Sequence, residues 1–297
     1  MIHTIHFSLH EVAPYINWLY FFHAWGFPAR LGSIARVHGC EACRRNWLMG
    51  FPPEERVRAQ EAMRLYDDAQ QLLSDADAHF KTHAIVGLFP AQGEGDDIVI
   101  LAEDSQEPFR IPFLRQQQPD ADGICLCMSD FVRPKEKGKD LIGVFACTVD
   151  KELEEGEADN EYRHLLHQTI ADRLAEATAE KMHEMVRKHL WAFSPQECLT
   201  IDQLHAECYQ GKRPAVGYPS IPDQSIAFLI DQLLMLSTIR VSLTESGAMR
   251  PHASTCGFIL SHPATRHFCV GPIGEDQLCN YASRRGMSTE EMRKFLS

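Results

Sequence analysis

The sequence predicts an α+β domain with a largely antiparallel sheet. Helical and strand segments are interleaved, but the strands are short and hairpin-like, which does not fit regular βαβ winding. Two apolar segments flank the turn-rich Gln92-Gly93-Glu94-Gly95, a hairpin signal. Neither an internal repeat nor a linker divides the 297 residues, so the chain reads as one domain, 1–297.

From the N-terminus, Val12 to Phe27 reads as a helix with an aromatic face. Leu31 to Phe51 carries glycines and two close cysteines. Pro52 to Ala78 reads as a second helix, with proline near its start and apolar residues at Val57, Ala62, Met63, Leu65, Ala69 and Leu72. Ala84 to Phe89 and Ile98 to Leu101 form the hairpin strands, and Phe109 to Leu114 and Leu141 to Thr148 are further strands. The basic stretch Arg133 to Lys139 reads as a solvated connection. Glu161 to Trp191 is the longest predicted helix, with Leu166, Ile170, Leu174, Ala177 and Met185 near the 3.6 period. Gly211 to Asp223 is a proline-rich loop whose last residue can cap a helix over Ser225 to Leu236. Phe258 to Leu260 and Phe268 to Val270 read as strands. Ser288-Thr289-Glu290-Glu291 has the capping-box form for a last short helix.

Net charge is −12, which argues against non-specific binding to a phosphate backbone. Asp150 to Tyr162 holds seven carboxylates and one lysine, half of that charge. No apolar run approaches the ~20 residues of a membrane span, and the first residues show no basic leader. Ten cysteines in a chain able to build a core do not require a disulfide framework, so a reduced, cytoplasmic protein is expected.

Common catalytic signatures are absent: no GxGxxG, P-loop or GxSxG occurs, and His183-Glu184 lacks the last ligand of HExxH. His164 and His167 share a helix face and read as ordinary surface or core histidines. His38, Cys40 and Cys43 have metal-ligand spacing but fall one short of the four ligands of structural zinc, so they read first as a local turn with two thiols. In Arg213-Pro214-Ala215-Val216-Gly217-Tyr218-Pro219, the prolines stiffen a loop and Gly217 permits close approach. Arg213 offers a fork for a carboxylate and Tyr218 a flat face with a hydroxyl. Such a loop can grip an amino-acid-like or nucleotide-like ligand, or form a surface salt bridge. Asp172 and Glu176 share a helix face, with Arg173 in reach of Glu176; such charges ordinarily form a solvated stripe.

At this loop a resemblance becomes visible. Pro14-Tyr15-Ile16-Asn17-Trp18, Val86-Gly87-Leu88-Phe89-Pro90-Ala91, Ile142-Gly143-Val144-Phe145-Ala146, Ala171-Asp172-Arg173-Leu174-Ala175-Glu176-Ala177, Tyr209-Gln210-Gly211, the Arg213–Pro219 loop and Tyr281-Ala282-Ser283-Arg284-Arg285-Gly286-Met287-Ser288 occur in that order. Together they resemble the activation domain of cobalamin-dependent methionine synthase, from about residue 10 to the end. About 29–56 looks like an insertion relative to the commonest form. The resemblance implies a C-shaped fold around a bent antiparallel sheet. It also implies a role: S-adenosylmethionine (AdoMet) is bound, the domain docks over the cobalamin module, and an electron from flavodoxin or a similar reductase restores Co(I), which takes the AdoMet methyl group.

By the same resemblance Arg213 holds the AdoMet carboxylate, Ala215 and Gly217 supply backbone contacts, and Tyr218 lies near ligand and corrin. Glu176 and Glu207 border the site, and Asp172 contacts the cobalamin module. Two positions depart from the family pattern: Asn17 replaces an AdoMet-contacting aspartate, and His267-Phe268 replaces a pair of aromatics. The carboxamide keeps a hydrogen-bonding oxygen without the charge. These departures motivate a second reading, a corrinoid-docking protein that has lost AdoMet. A third uses Cys40 and Cys43 for metal or redox response. The chain carries no DxHxxG motif, since Thr82 stands at the glycine position after Asp77 and His79. It is too short to hold homocysteine, folate and cobalamin modules as well, so methionine formation is not expected of it alone.

Overall fold

The computed structural model describes residues 1–101 and 108–296. The strands are β1 (Ile2–Ser8), β2 (Lys81–Glu94), β3 (Asp97–Ile100), β4 (Phe109–Pro112), β5 (Asp140–Val149), β6 (Ser242–Leu243), β7 (Met249–Arg250) and β8 (Ser254–Ile259). The α-helices are α1 (Leu9–Val12), α2 (Trp18–Ala24), α3 (Glu41–Met49), α4 (Arg56–Ala76), α5 (Lys151–Glu155), α6 (Glu161–Met185), α7 (Ile201–His205), α8 (Ile226–Leu234), α9 (Glu275–Arg285) and α10 (Thr289–Phe295). The main sheet is antiparallel throughout, in the order β4-β3-β2-β5-β8.

Strand β2 organises the sheet. One edge pairs with β1 over its first half, Thr82↔Phe7 to Gly87↔Ile2, and with β3 over its second half, Ala91↔Ile100 to Glu94↔Asp97. Its other edge pairs with β5 from Thr82↔Val149 to Ala91↔Asp140. One long strand thus bridges two sheet regions, and the sheet curls. The hairpin turn is Gly95-Asp96, shorter and later than the sequence suggested.

Both faces of the sheet are covered. Ala84, Val86, Phe145, Cys147, Val149 and Ile259 enter a core with α1, α2, α4 and α6. The alternate residues Ile85, Ile142, Val144, Ala146, Cys256 and Phe258 enter a second core with α8 and Leu236–Ile239. Successive side chains point to opposite faces of a strand. A strand sandwiched in this way is apolar on both faces, which explains the run from Leu141 to Cys147 in β5. A small third cluster of Leu114, Val270, Leu278, Tyr281, Ala282 and Met292 seats α9 and α10.

Several expectations need correcting. Val12 to Phe27 is not one helix. A 3-10 turn at Ala13–Tyr15 is followed by Asn17, whose side-chain oxygen accepts the Leu19 N–H at 3.2 Å and starts α2 afresh. The expected helix from Pro52 begins at Arg56 after a 3-10 turn, and Val57 is exposed. Phe268 to Val270 forms no strand. Phe268 instead exchanges two hydrogen bonds with the Ser220 hydroxyl, and Val270 N–H reaches Pro219 O at 2.9 Å. Asp150, counted in the acidic run, turns inward and meets His83 Nε2 at 2.9 Å. His167 is a core histidine bonded to Leu153 O. Asp223 accepts the Ser225 N–H at 2.8 Å, and its other oxygen accepts the Tyr281 hydroxyl at 2.7 Å, which ties α9 to the start of α8. The capping box at Ser288 and Glu291 forms as expected.

Candidate functional site

The loop carrying Arg213 to Pro219 lies along the free edge of β8. Lys212 and Leu260 exchange backbone hydrogen bonds at 3.0 and 2.9 Å, Phe258 N–H donates to Pro214 O at 3.0 Å, and Val216 N–H donates to Cys256 O at 2.9 Å. The loop thus closes an edge that would otherwise be open to pairing. Gly257 allows the approach: a Cβ there would lie 2.2 Å from Pro214 O and 2.8 Å from the Ala215 Cα. Gly217 turns the chain at φ +86°, and its N–H donates to Ile221 O at 2.8 Å.

This placement brings Arg213 and Tyr218 against one stripe of α6. Arg213 Nη2 donates to Glu180 Oε2 at 2.9 Å, and Nη1 lies 3.8 Å from Glu176 Oε2. Tyr218 OH donates to Glu176 Oε1 at 3.1 Å. Glu176 therefore turns to the loop and not to Arg173. Burial disfavours the Arg213 charge, but Glu180, Tyr209 and Glu176 outweigh it and fix the guanidinium as a cation. The negative charge of Glu176 and then burial push the Tyr218 hydroxyl up to about 12. Tyr218 itself is half-exposed. Two buried polar atoms here have no partner, Arg213 Nε and Glu180 Oε1.

Glu207 and His267 form the neighbouring wall. Glu207 adopts φ +53°, an uncommon backbone conformation for a residue with a side chain. His267 Nε2 lies 3.2 Å from its carboxylate and Lys212 Nζ 3.3 Å. The His267 hydrogen bond, only partly opposed by burial, holds the Glu207 carboxyl at about 2. Phe268 packs near Phe131, ring centres 6.4 Å apart.

Asn17 and Asp172 make none of these hydrogen bonds or ion pairs. Asn17 lines a cleft of about 1260 Å³ with Trp18, Tyr66, Asp77, Asp202 and His205, and Arg213, Ala215, Gly217 and Tyr218 are not among its walls. The cleft wall does reach Ala206, the neighbour of Glu207. Asp172, one turn before Glu176, is half-exposed, and burial raises its carboxyl above the usual range. His38, Cys40 and Cys43 come together elsewhere, at the start of α3.

Sequence reasoning missed the layer behind Arg213. Glu180 and His183 on α6, and Arg187 in the π-helical turn Val186–Leu190 that follows it, continue the stripe of Glu176 and are buried. Arg187 makes two hydrogen bonds to Glu197, at 2.8 and 2.7 Å, and stacks over Tyr209 with its guanidinium carbon 4.0 Å from the ring centre. His183 packs edge-on against Tyr209; burial and then Arg187 drive its pKa well below the usual value, so it stands neutral. The signal was present as polar residues at i, i+4, i+7 and i+11.

Comparison with known proteins agrees with this architecture. Residues 8–286 match the family model described as vitamin B12 dependent methionine synthase, activation domain. A solved structure described as the MetH reactivation domain bound to AdoHcy is similar at 34% identity and TM-score 0.86, covering 100% of this chain and 89% of that chain. With a curled antiparallel sheet, helices on both faces and a family match over most of its length, the chain belongs to the activation-domain family of vitamin B12 dependent methionine synthase.

Proposed function

We propose that this chain, acting as one domain over 1–297, binds AdoMet beside Arg213 and supports reductive methylation of cob(II)alamin carried by a cobalamin-binding module. The observation that carries the reading is the Arg213 guanidinium: 17% exposed, backed by Glu180 and Glu176, with its Nε lacking a protein partner. A planar cation that keeps 17% of its side chain exposed fits the carboxylate of an amino-acid moiety. Glu176 and Glu207 place negative charge around the same loop, which favours a sulfonium cation. The similar MetH domain holds AdoHcy, what remains of AdoMet after methyl transfer.

AdoMet supplies the methyl group. Cobalamin carried by the partner module, once reduced by one electron from flavodoxin or a similar reductase, would supply the nucleophile that accepts this methyl group, and AdoHcy would be the leaving group. The protein's part is positioning: Arg213 orients the amino-acid end, Gly217 allows close approach, and the exposed Tyr218 and Asp172 face the cobalamin module.

One alternative has structural support. The Asn17 oxygen is engaged as a helix cap, and His267 is paired with Glu207, so both departures from the family pattern satisfy themselves without ligand. A docking protein without AdoMet would look the same at these two positions. Calorimetric titration separates the readings. Saturable AdoMet and AdoHcy binding that is lost in Arg213→Ala supports the proposal. No binding, with or without the cobalamin module, leaves the docking reading.

A further inference from the structure

The structure assigns a second, independent site at the N-terminus of α3. We propose that His38, Cys40 and Cys43 bind a thiophilic d¹⁰ cation, Zn(II), through three protein ligands. Their ligand atoms, one imidazole nitrogen and two sulfurs, all lie within 4.8 Å of one another. Tetrahedral zinc with sulfur ligands at about 2.3 Å sets its sulfurs about 3.8 Å apart. The observed group is therefore about 1 Å from closure, a distance side-chain rotation can cover.

The local fold holds the three ligands in this arrangement. Cys40 is the N-cap of α3, and its sulfur accepts the Cys43 N–H at 3.4 Å. The Cys40 N–H donates to His38 Nδ1 at 3.3 Å, which keeps the ring beside the thiols. The scaffold beneath is pinned. Arg44 makes a two-pronged ion pair with Asp67 of α4, both contacts at 2.6 Å, and Trp47 Nε1 donates to Ser33 Oγ at 2.9 Å. Arg36 and Arg45 are likewise occupied, by Asp202 and Glu41. Each of these three arginines thus already has a carboxylate partner.

The donor set selects the ion. Two thiolates and an imidazole suit Zn(II) and exclude the oxygen-seeking Mg(II) and Ca(II). Two thiolates also neutralise the dication. Cys40 is exposed and Cys43 half-buried, so an ion can enter and a fourth position stays open to water or an exogenous ligand.

The test uses the full chain purified under a non-chelating reductant, with Zn(II) measured by elemental analysis and by competition against a chromophoric chelator. Co(II) serves as the spectroscopic substitute. The expected result is one equivalent of zinc, a thiolate-to-cobalt charge-transfer band, and loss of both in Cys40→Ser/Cys43→Ser. Altering even an outer partner of a metal ligand weakens affinity by roughly 10–100-fold, so His38→Ala should cost at least about tenfold. Unchanged thermal melting of the metal-free variants confirms that they fold, since the site lies at the surface. Zinc that survives the double substitution, a cobalt spectrum without the charge-transfer band, or a Cys40–Cys43 disulfide in a chain with no metal affinity would each overturn the assignment.

Discussion

Replacing Arg213 with methionine should destabilise the fold as well as abolish ligand binding, and the size of the loss follows from Glu180. That carboxylate is 5% exposed, and Arg213 is its hydrogen-bond and ion-pair partner; its second oxygen already has none. Removing one partner of a buried ion pair typically costs about 3–5 kcal/mol, because the remaining charge is stranded. Glu176 suffers less, since it keeps the Tyr218 hydroxyl. For a chain of this size each kcal/mol lowers the melting temperature by about 1.6 °C, so Arg213→Met should melt roughly 5–8 °C below the parent. Arg213→Met/Glu180→Met removes both charges and should recover at least about 2 kcal/mol, as apolar replacements of buried pairs commonly do. Urea unfolding followed by tryptophan fluorescence and by circular dichroism measures both. A single variant within about 1 kcal/mol of the parent, or a double variant less stable than the single, would refute the claim that the pair is buried and coupled.

Other perturbations act on the same region. Gly257→Ala drives a methyl into the Pro214 backbone and should cost about 1–3 kcal/mol or more by melting. Gly217→Ala meets only the mobile end of Gln224, so its cost is the positive φ, about 1–2 kcal/mol. Tyr218→Phe loses one half-exposed hydrogen bond and should change stability by less than about 1 kcal/mol while keeping the fold intact. His267→Ala removes the main cause of the lowered Glu207 carboxyl. A carboxyl depressed from 4.5 to about 2 contributes stability in full above pH 4.5, and that contribution is lost as pH falls toward about 2. The variant's deficit should therefore be largest above pH 4.5 and vanish near pH 2. An acid titration of both proteins checks this, and a deficit that does not depend on pH would contradict it.

The sequence revealed features carried by local chemistry. Apolar runs located β2 and β5, the serine–glutamate spacing located α10, and the proline–glycine loop pointed to Arg213 and Tyr218. It did not show the break before α2, because Asn17 within an aromatic run looks like a helix residue until its side chain is seen capping Leu19. Phe268 to Val270 is a short apolar segment, and such segments become strands only if an edge is available. Here the edge of β8 is already taken by the Arg213 loop. Glu180 was missed for a similar reason. A carboxylate one turn beyond Glu176 reads as solvated until the loop folds over it. The reactive geometry at His38, Cys40 and Cys43 depended on α3 forming, which the glycines and cysteines of that stretch did not signal.

The most direct test of the central proposal is transfer of a labelled methyl group. The purified chain is mixed with a cobalamin-binding module in the cob(II)alamin state, a one-electron reductant such as reduced flavodoxin, and AdoMet labelled in its methyl group. Label should appear on cobalamin, with AdoHcy released in equal amount, only when this chain is present, and Arg213→Ala should abolish the transfer. Equal labelling with and without the chain, or no labelling under conditions where the two proteins bind each other, would contradict a role in reactivation.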